Sequence, residues 1–191
     1  MLHSVKKCFR NITIDLDYKE KDAIEYVSRV ILTDLTKTLI FFCIFSILGI
    51  RQHIIIMLLY TIPLRINVGG FHLKNYVTCL SFSAIYFASI YNINTFISFN
   101  VYGLVFIATI CTGLIFMLAP VIPLERFDVT SINKIALKIR GVVISLIYLL
   151  IFIIYPSIYT RYGIWVVIVQ TILIVITEVN CYVKKIKRKI Y

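Results

Sequence analysis

The chain places a histidine and a cysteine, His72 and Cys79, seven residues apart in the stretch RINVGGFHLKNYVTC at 65–79. A thiol is a strong nucleophile only as thiolate, and an imidazole within hydrogen-bond reach takes its proton and holds the resulting ion pair. On a continuous helix seven residues return to nearly the same face, but the axial rise of ~10.5 Å is too long for contact. The pair Gly69 and Gly70 just upstream offers a way round this. Glycines adopt torsions that other residues avoid, so His72 is expected on a loop or re-entrant turn folded back over the helix that carries Cys79. Phe71 is placed to seal that turn against lipid.

Two other readings of the pair stand beside this one. A zinc site needs three or four ligands, and the remaining histidines, His3 and His53, are distant in sequence; no metal site and no cofactor is expected. A histidine and a cysteine at the start of a helix can also be purely structural, and spacing alone leaves that reading open. Three nearby or matching residues are candidates for support. Asn75 can orient His72, donate to an oxyanion, or cap the following helix. Arg65 can hold a substrate carboxylate or a lipid phosphate. Glu178, the sole carboxylate in a late apolar run, is a candidate functional group because intramembrane carboxylates often are; pairing with Lys184 or Lys185 is the plainer reading.

These residues need elements to carry them, and the composition says what kind. Of 191 residues, 60% are hydrophobic and 15% charged, and the mean hydropathy is +0.92. That excludes an ordinary soluble domain and points to an all-α, polytopic membrane protein. Six apolar stretches stand out, at roughly 35–50, 53–66, 76–92, 99–122, 141–158 and 162–181. The second is short against the ~20 residues of a straight span. The expected organisation is a single unit: an amphipathic interfacial segment at 1–34, a six-helix membrane region at 35–181 and a basic tail at 182–191.

The basic residues fix an orientation. All of the twenty Lys and Arg except Arg51 and Arg161 fall in alternate connecting segments. Such a bias marks the cytoplasmic side, so both termini and the 65–79 stretch are expected there. The net charge of +11 follows from that bias. It suits anionic lipid or an acidic peptide; nucleic acid is excluded, since no soluble basic face with stacking aromatics is present. At the N-terminus, Val5, Cys8, Phe9 and Ile12 recur at helical spacing, as do Ala23, Ile24, Val27, Val30 and Ile31. This is the pattern of a helix lying in the interface, and no signal peptide is expected. The five cysteines show no paired spacing, which argues against a disulfide framework.

The motif Arg65-x3-Gly69-Gly70-x-His72-x6-Cys79, with Ala119-Pro120 before a basic loop and a Lys-rich tail, resembles the accessory gene regulator B (AgrB) family of membrane peptidases in quorum sensing. The likeness covers nearly the whole chain, although the loop at 125–140 spreads its basic residues instead of clustering them. The resemblance implies Cys79 as nucleophile, His72 as general base, and an AgrD-like precursor peptide as substrate. It implies cleavage of the precursor's acidic tail, a thioester on Cys79, and ring closure to a thiolactone or lactone. A homodimer in the bacterial cell membrane is consistent with the family. A small transporter or a peptide-binding scaffold is the alternative, but a transporter is expected to show paired broken helices or several buried charges, and only Pro63, Pro120 and Glu178 approach that.

Overall fold

The computed structural model describes residues 36–69, 75–97, 99–120 and 134–190, with side chains described as far as Val183. Every regular element in these residues is a helix. They are α1 (Thr36–Ile47), α2 (Arg51–Val68), α3 (Tyr76–Phe96), α4 (Val101–Leu118), α5 (Lys134–Ile154) and α6 (Ile158–Ile190). The chain divides into two compact units, Met1–Ile44 and Phe45–Tyr191. The first contributes to the described residues only the leading part of α1.

Each of the six apolar stretches corresponds to one helix, but not all six have the dimensions of a span. Helices α3, α4, α5 and the Ile158–Val183 part of α6 are long and apolar enough to cross a membrane. Helix α1 is shorter than the ~20 residues of a straight crossing. Helix α2, at 18 residues, is diluted by Arg51, Gln52, His53 and Arg65. The amphipathic segment at 1–34 lies outside the described residues.

Local chemistry accounts for where the helices start and stop. The fifth stretch does not run on to 158 as the hydropathy suggests. Pro156 follows the end of α5, and Ser157 caps α6 reciprocally with Thr160: the Thr160 N–H donates to Ser157 Oγ (3.2 Å) and the Ser157 N–H to Thr160 Oγ1 (2.9 Å). Two otherwise orphaned donors are thereby satisfied, and the last helix begins at Ile158 instead of 162. That helix also continues through the basic tail to Ile190. At the same end of the bundle, Asn100 caps α4 by accepting the Tyr102 N–H at 3.1 Å. Helix α4 ends at Leu118, four residues short of the apolar stretch, with Ala119 already extended ahead of Pro120.

Within the larger unit α6 is the central post. Half of its membrane-length window is buried, against 22–28% in the other three long helices. Helices α2, α4 and α5 pack on α6 and on one another through α5, whereas α3 rests on α6 and meets α2 only marginally. Polar pairs tie these contacts: Tyr148 Oη on α5 donates to the Tyr60 carbonyl on α2 (2.9 Å), and Asn94 Nδ2 on α3 donates to the Ile158 carbonyl (2.9 Å). The helix carrying Cys79 is therefore positioned chiefly by α6.

Candidate functional site

Cys79 lies in the first turn of α3, and its backbone N–H donates to the Asn75 carbonyl at 3.0 Å. Its side chain is buried. The buried face of α3 continues through Ser83, Tyr86, Phe87, Ile90 and Asn94, the i, i+3, i+4, i+7 spacing of one helical face. Ser83 Oγ donates to the Cys79 carbonyl at 3.0 Å. Cys43, Cys79, Cys111 and Cys181 form no disulfide among the described residues; Cys8 lies outside them.

The backbone is interrupted where the glycines predict. Helix α2 ends at Val68, and the Gly69 N–H closes the last turn on the Arg65 carbonyl at 3.0 Å. Gly69 has φ 84° and ψ −165°, a region that is essentially glycine-only. Asn75, at the other end of the gap, is extended, with φ −88° and ψ 131°. Gly70 and His72 fall between them and lie outside the described residues.

Asn75 occupies the N-cap position of α3, but its side chain makes no capping hydrogen bond and is exposed. The capping reading holds for the backbone position and not for the amide. Arg65 is half-buried in the last turn of α2. It lies within electrostatic reach of the Tyr86 hydroxyl, which sits beside that of Thr61. Both hydroxyls are buried, and neither completes a hydrogen bond of good geometry among the described residues. Thr61, Arg65 and Tyr86 form a polar patch between α2 and α3, and Tyr86 lies two turns from Cys79 on the same face of α3. His53 is engaged elsewhere: its Nδ1 is 2.8 Å from Tyr162 Oη, with Tyr91 and Tyr159 packed around the ring. Glu178 is half-buried on α6, and the side chains of Lys184 and Lys185 lie outside the described residues.

One contact was not anticipated from the sequence. Gln170 on α6, 1% exposed, donates through Nε2 to the Gly69 carbonyl at 2.6 Å. It joins the central helix to the first residue of the break. A lone amide inside an otherwise apolar run was the available signal, since such groups in membrane helices are placed where they have a partner.

The described residues define a helical protein with four helices long enough to cross a membrane and a buried thiol on a helix start, just past an interrupted backbone. The sequence profile of the accessory gene regulator B family (AgrB) matches residues 5–174, and the chain belongs to that family. Among curated relatives, AgrB-like protein 1 of Clostridium perfringens (strain 13 / Type A) is 27% identical over 165 residues, covering 84% of this chain and 87% of that one. No solved structure matches.

Proposed function

We propose that the protein is a membrane-embedded cysteine endopeptidase and cyclase acting on an AgrD-like precursor peptide, with Cys79 as nucleophile and His72 as general base. The observation that carries this reading is the buried Cys79 thiol on the first turn of α3, seven residues after His72 in the sequence, in a chain of this family. The first N–H groups of a helix have no intrahelical acceptors, so an oxyanion forming beside Cys79 has donors at hand.

In the first step His72 takes the thiol proton and Cys79 Sγ attacks a backbone carbonyl carbon of the precursor. The tetrahedral intermediate collapses as the imidazolium returns the proton to the leaving amine. The C-terminal tail departs, and the remainder stays on Cys79 as a thioester. A thiol or hydroxyl inside the bound peptide then attacks the same carbonyl, His72 again shuttles the proton, and the Cys79 thiol is restored as the thiolactone or lactone ring closes. No water is consumed. A thioester keeps its acyl-transfer potential, and a site poor in water favours the internal nucleophile over hydrolysis. Arg65 and the exposed Asn75 amide contact substrate in this scheme, and Glu178 supports the site. Both termini lie in the cytoplasm, all six helices span, anionic lipid meets the basic segments, and the working form is a homodimer.

The test uses a precursor whose internal nucleophile is changed to Ala. It still acylates Cys79 but cannot close a ring, so intact-mass measurement is expected to show a covalent adduct that hydroxylamine releases. His72→Ala is expected to prevent the adduct, and Cys79→Ala to abolish cleavage while the protein stays inserted. Cleavage surviving in Cys79→Ala would sink the peptidase reading. Unmodified protein with rapidly formed linear product would leave a plain hydrolase.

A further inference from the structure

Hydroxyls buried in these helices follow one habit. Ser83, Thr112, Ser145, Thr171 and Thr177 are buried, and each donates to the carbonyl four residues before it, at 2.7–3.0 Å. In a water-poor span that carbonyl is the nearest acceptor. Buried tyrosine hydroxyls find partners on other helices: Tyr148 Oη donates to the Tyr60 carbonyl, and Tyr162 Oη pairs with His53 Nδ1. Thr61 and Tyr86 break the habit. They are 4% and 7% exposed, and neither Thr61 Oγ1 nor Tyr86 Oη has a hydrogen-bond partner among the described residues. A bare buried hydroxyl is costly, and here two share one place.

That place is the seam between α2 and α3. Thr61 and Tyr86 face each other across it, and Arg65, one turn further along α2, is within electrostatic reach. Tyr86 stands on the face of α3 that carries Cys79, and a helical side chain leans toward its own N-terminus, here toward Cys79. Ser83, between them, already spends its proton on the Cys79 carbonyl. The seam is also slack. Helix α3 is carried by α6 and meets α2 only marginally, and Pro63, between Thr61 and Arg65, removes one hydrogen bond from the ladder of α2 at that turn.

We propose that Thr61 and Tyr86 form a subsite that donates hydrogen bonds to a backbone carbonyl of the precursor, on the side of the cleaved bond that stays with the enzyme as thioester. The proposal rests on the reading of Cys79 as nucleophile. A peptide drawn into a span brings carbonyls stripped of water, which need donors, and these two hydroxyls are donors without acceptors. From Cys79 to Tyr86 the helix rises ~10.5 Å, which an extended chain covers in about three residues at ~3.3–3.6 Å each. The carbonyl that is held therefore lies about three residues from the one that is attacked. An acidic tail stays at the Arg65 end of the seam, near the basic segments, because charge is expensive deeper in the span.

The experiment measures binding of the precursor to the full-length Cys79→Ala protein in nanodiscs, so that affinity is read without cleavage. Thr61→Val and Tyr86→Phe each remove a hydroxyl and little else. Because the hydroxyls are bare in the free protein, each variant is expected to keep or slightly raise the melting temperature, and to raise Kd about three- to tenfold. With Cys79 present, both are expected to raise KM and spare kcat. A series of precursors then replaces one backbone amide at a time by an ester, which weakens one carbonyl acceptor, over about five residues before the cleaved bond. One position, about the third, is expected to lose affinity for the Cys79→Ala protein, and to lose none further when Thr61→Val and Tyr86→Phe are added. Unchanged Kd in both hydroxyl variants overturns the subsite, and so does an ester effect that persists without the hydroxyls. A lowered melting temperature with unchanged Kd makes the two a structural pair and overturns it equally. Should one variant fail to fold, the other carries the same cycle. If the Cys79→Ala protein still cleaves, the nucleophile reading falls and the subsite with it; if it binds without cleaving and the hydroxyl variants bind as tightly, the subsite alone falls.

Discussion

At the scale of single residues, the site combines groups whose conformation is forced with groups left unused. Gly69 is the forced one. Its torsions admit little besides glycine, so Gly69→Ala is expected to cost about 1–3 kcal/mol and to move the carbonyl that Gln170 holds; a lowered melting temperature together with lost cleavage checks this. Asn75 is the unused one. An N-cap side chain that makes its bond costs ~1 kcal/mol to remove, but this one makes none. Asn75→Ala is therefore expected to leave stability within about 0.5 kcal/mol of wild type while slowing cleavage, which separates an amide that serves the substrate from one that serves the helix. The sequence singled out Cys79 for the proposed role because Cys, His and paired glycines are rare residues with narrow uses. It did not reveal Gln170, because the meaning of that amide depends on a partner 101 residues away, which no local spacing encodes. Nor did it reveal that the Asn75 side chain leaves the cap unmade, since the choice between cap and solvent is settled by a rotamer.

At the scale of elements, hydropathy located all six helices, and errors gathered at the ends. The apolar stretch written as 141–158 contains Pro156 and Ser157, and the stop and cap they supply override the apolar side chains on either side. The charges after 181 end the hydropathy signal, yet charge does not end a helix, and Lys and Arg are good helix formers, so α6 continues to Ile190. What hydropathy could not rank was which helix stands at the centre. Helix α6 holds that place with a largely apolar buried face, while Gln170, Thr171 and Thr177, also buried, lower its apparent hydropathy. The α2–α5 contact gives a test at this scale. Gly141→Ala drives a methyl into Val68, and overpacking of this kind costs typically 1–3 kcal/mol. Val68→Ala removes the obstructing methyls. The double variant Gly141→Ala with Val68→Ala is expected to recover part of the loss, so that a double-mutant cycle shows a coupling of about 0.5 kcal/mol or more. Strict additivity would mean that the two backbones do not depend on this approach.

At the scale of the whole molecule, the charge distribution and the helix lengths bear on one question, the number of crossings. Four helices have the length and hydropathy of spans, and six are proposed. The positive-inside pattern does not separate these counts, because α1 and α2 added together return the chain to the side it left, and the tail and the residues before α1 stay on one side either way. A count of five, with α2 crossing alone, would put them on opposite sides and place the basic segment before α1 against the rule. The turn between α1 and α2 decides. Gly49, at φ 73°, closes that turn through its N–H to the Ser46 carbonyl at 3.1 Å, and Arg51 and Gln52 directly after it are exposed. If all six helices cross, Gln52 faces the outside, with α1 reaching across by local thinning of the bilayer. In a background with every native cysteine replaced by Ala, Gln52→Cys is expected to react in intact cells with a membrane-impermeant maleimide. A cysteine in place of Arg188 in the tail is expected to react only after the membrane is permeabilised. Protection of both positions would reduce α1 and α2 to a pair that enters the bilayer without crossing it, and labelling of the tail in intact cells would overturn the orientation altogether.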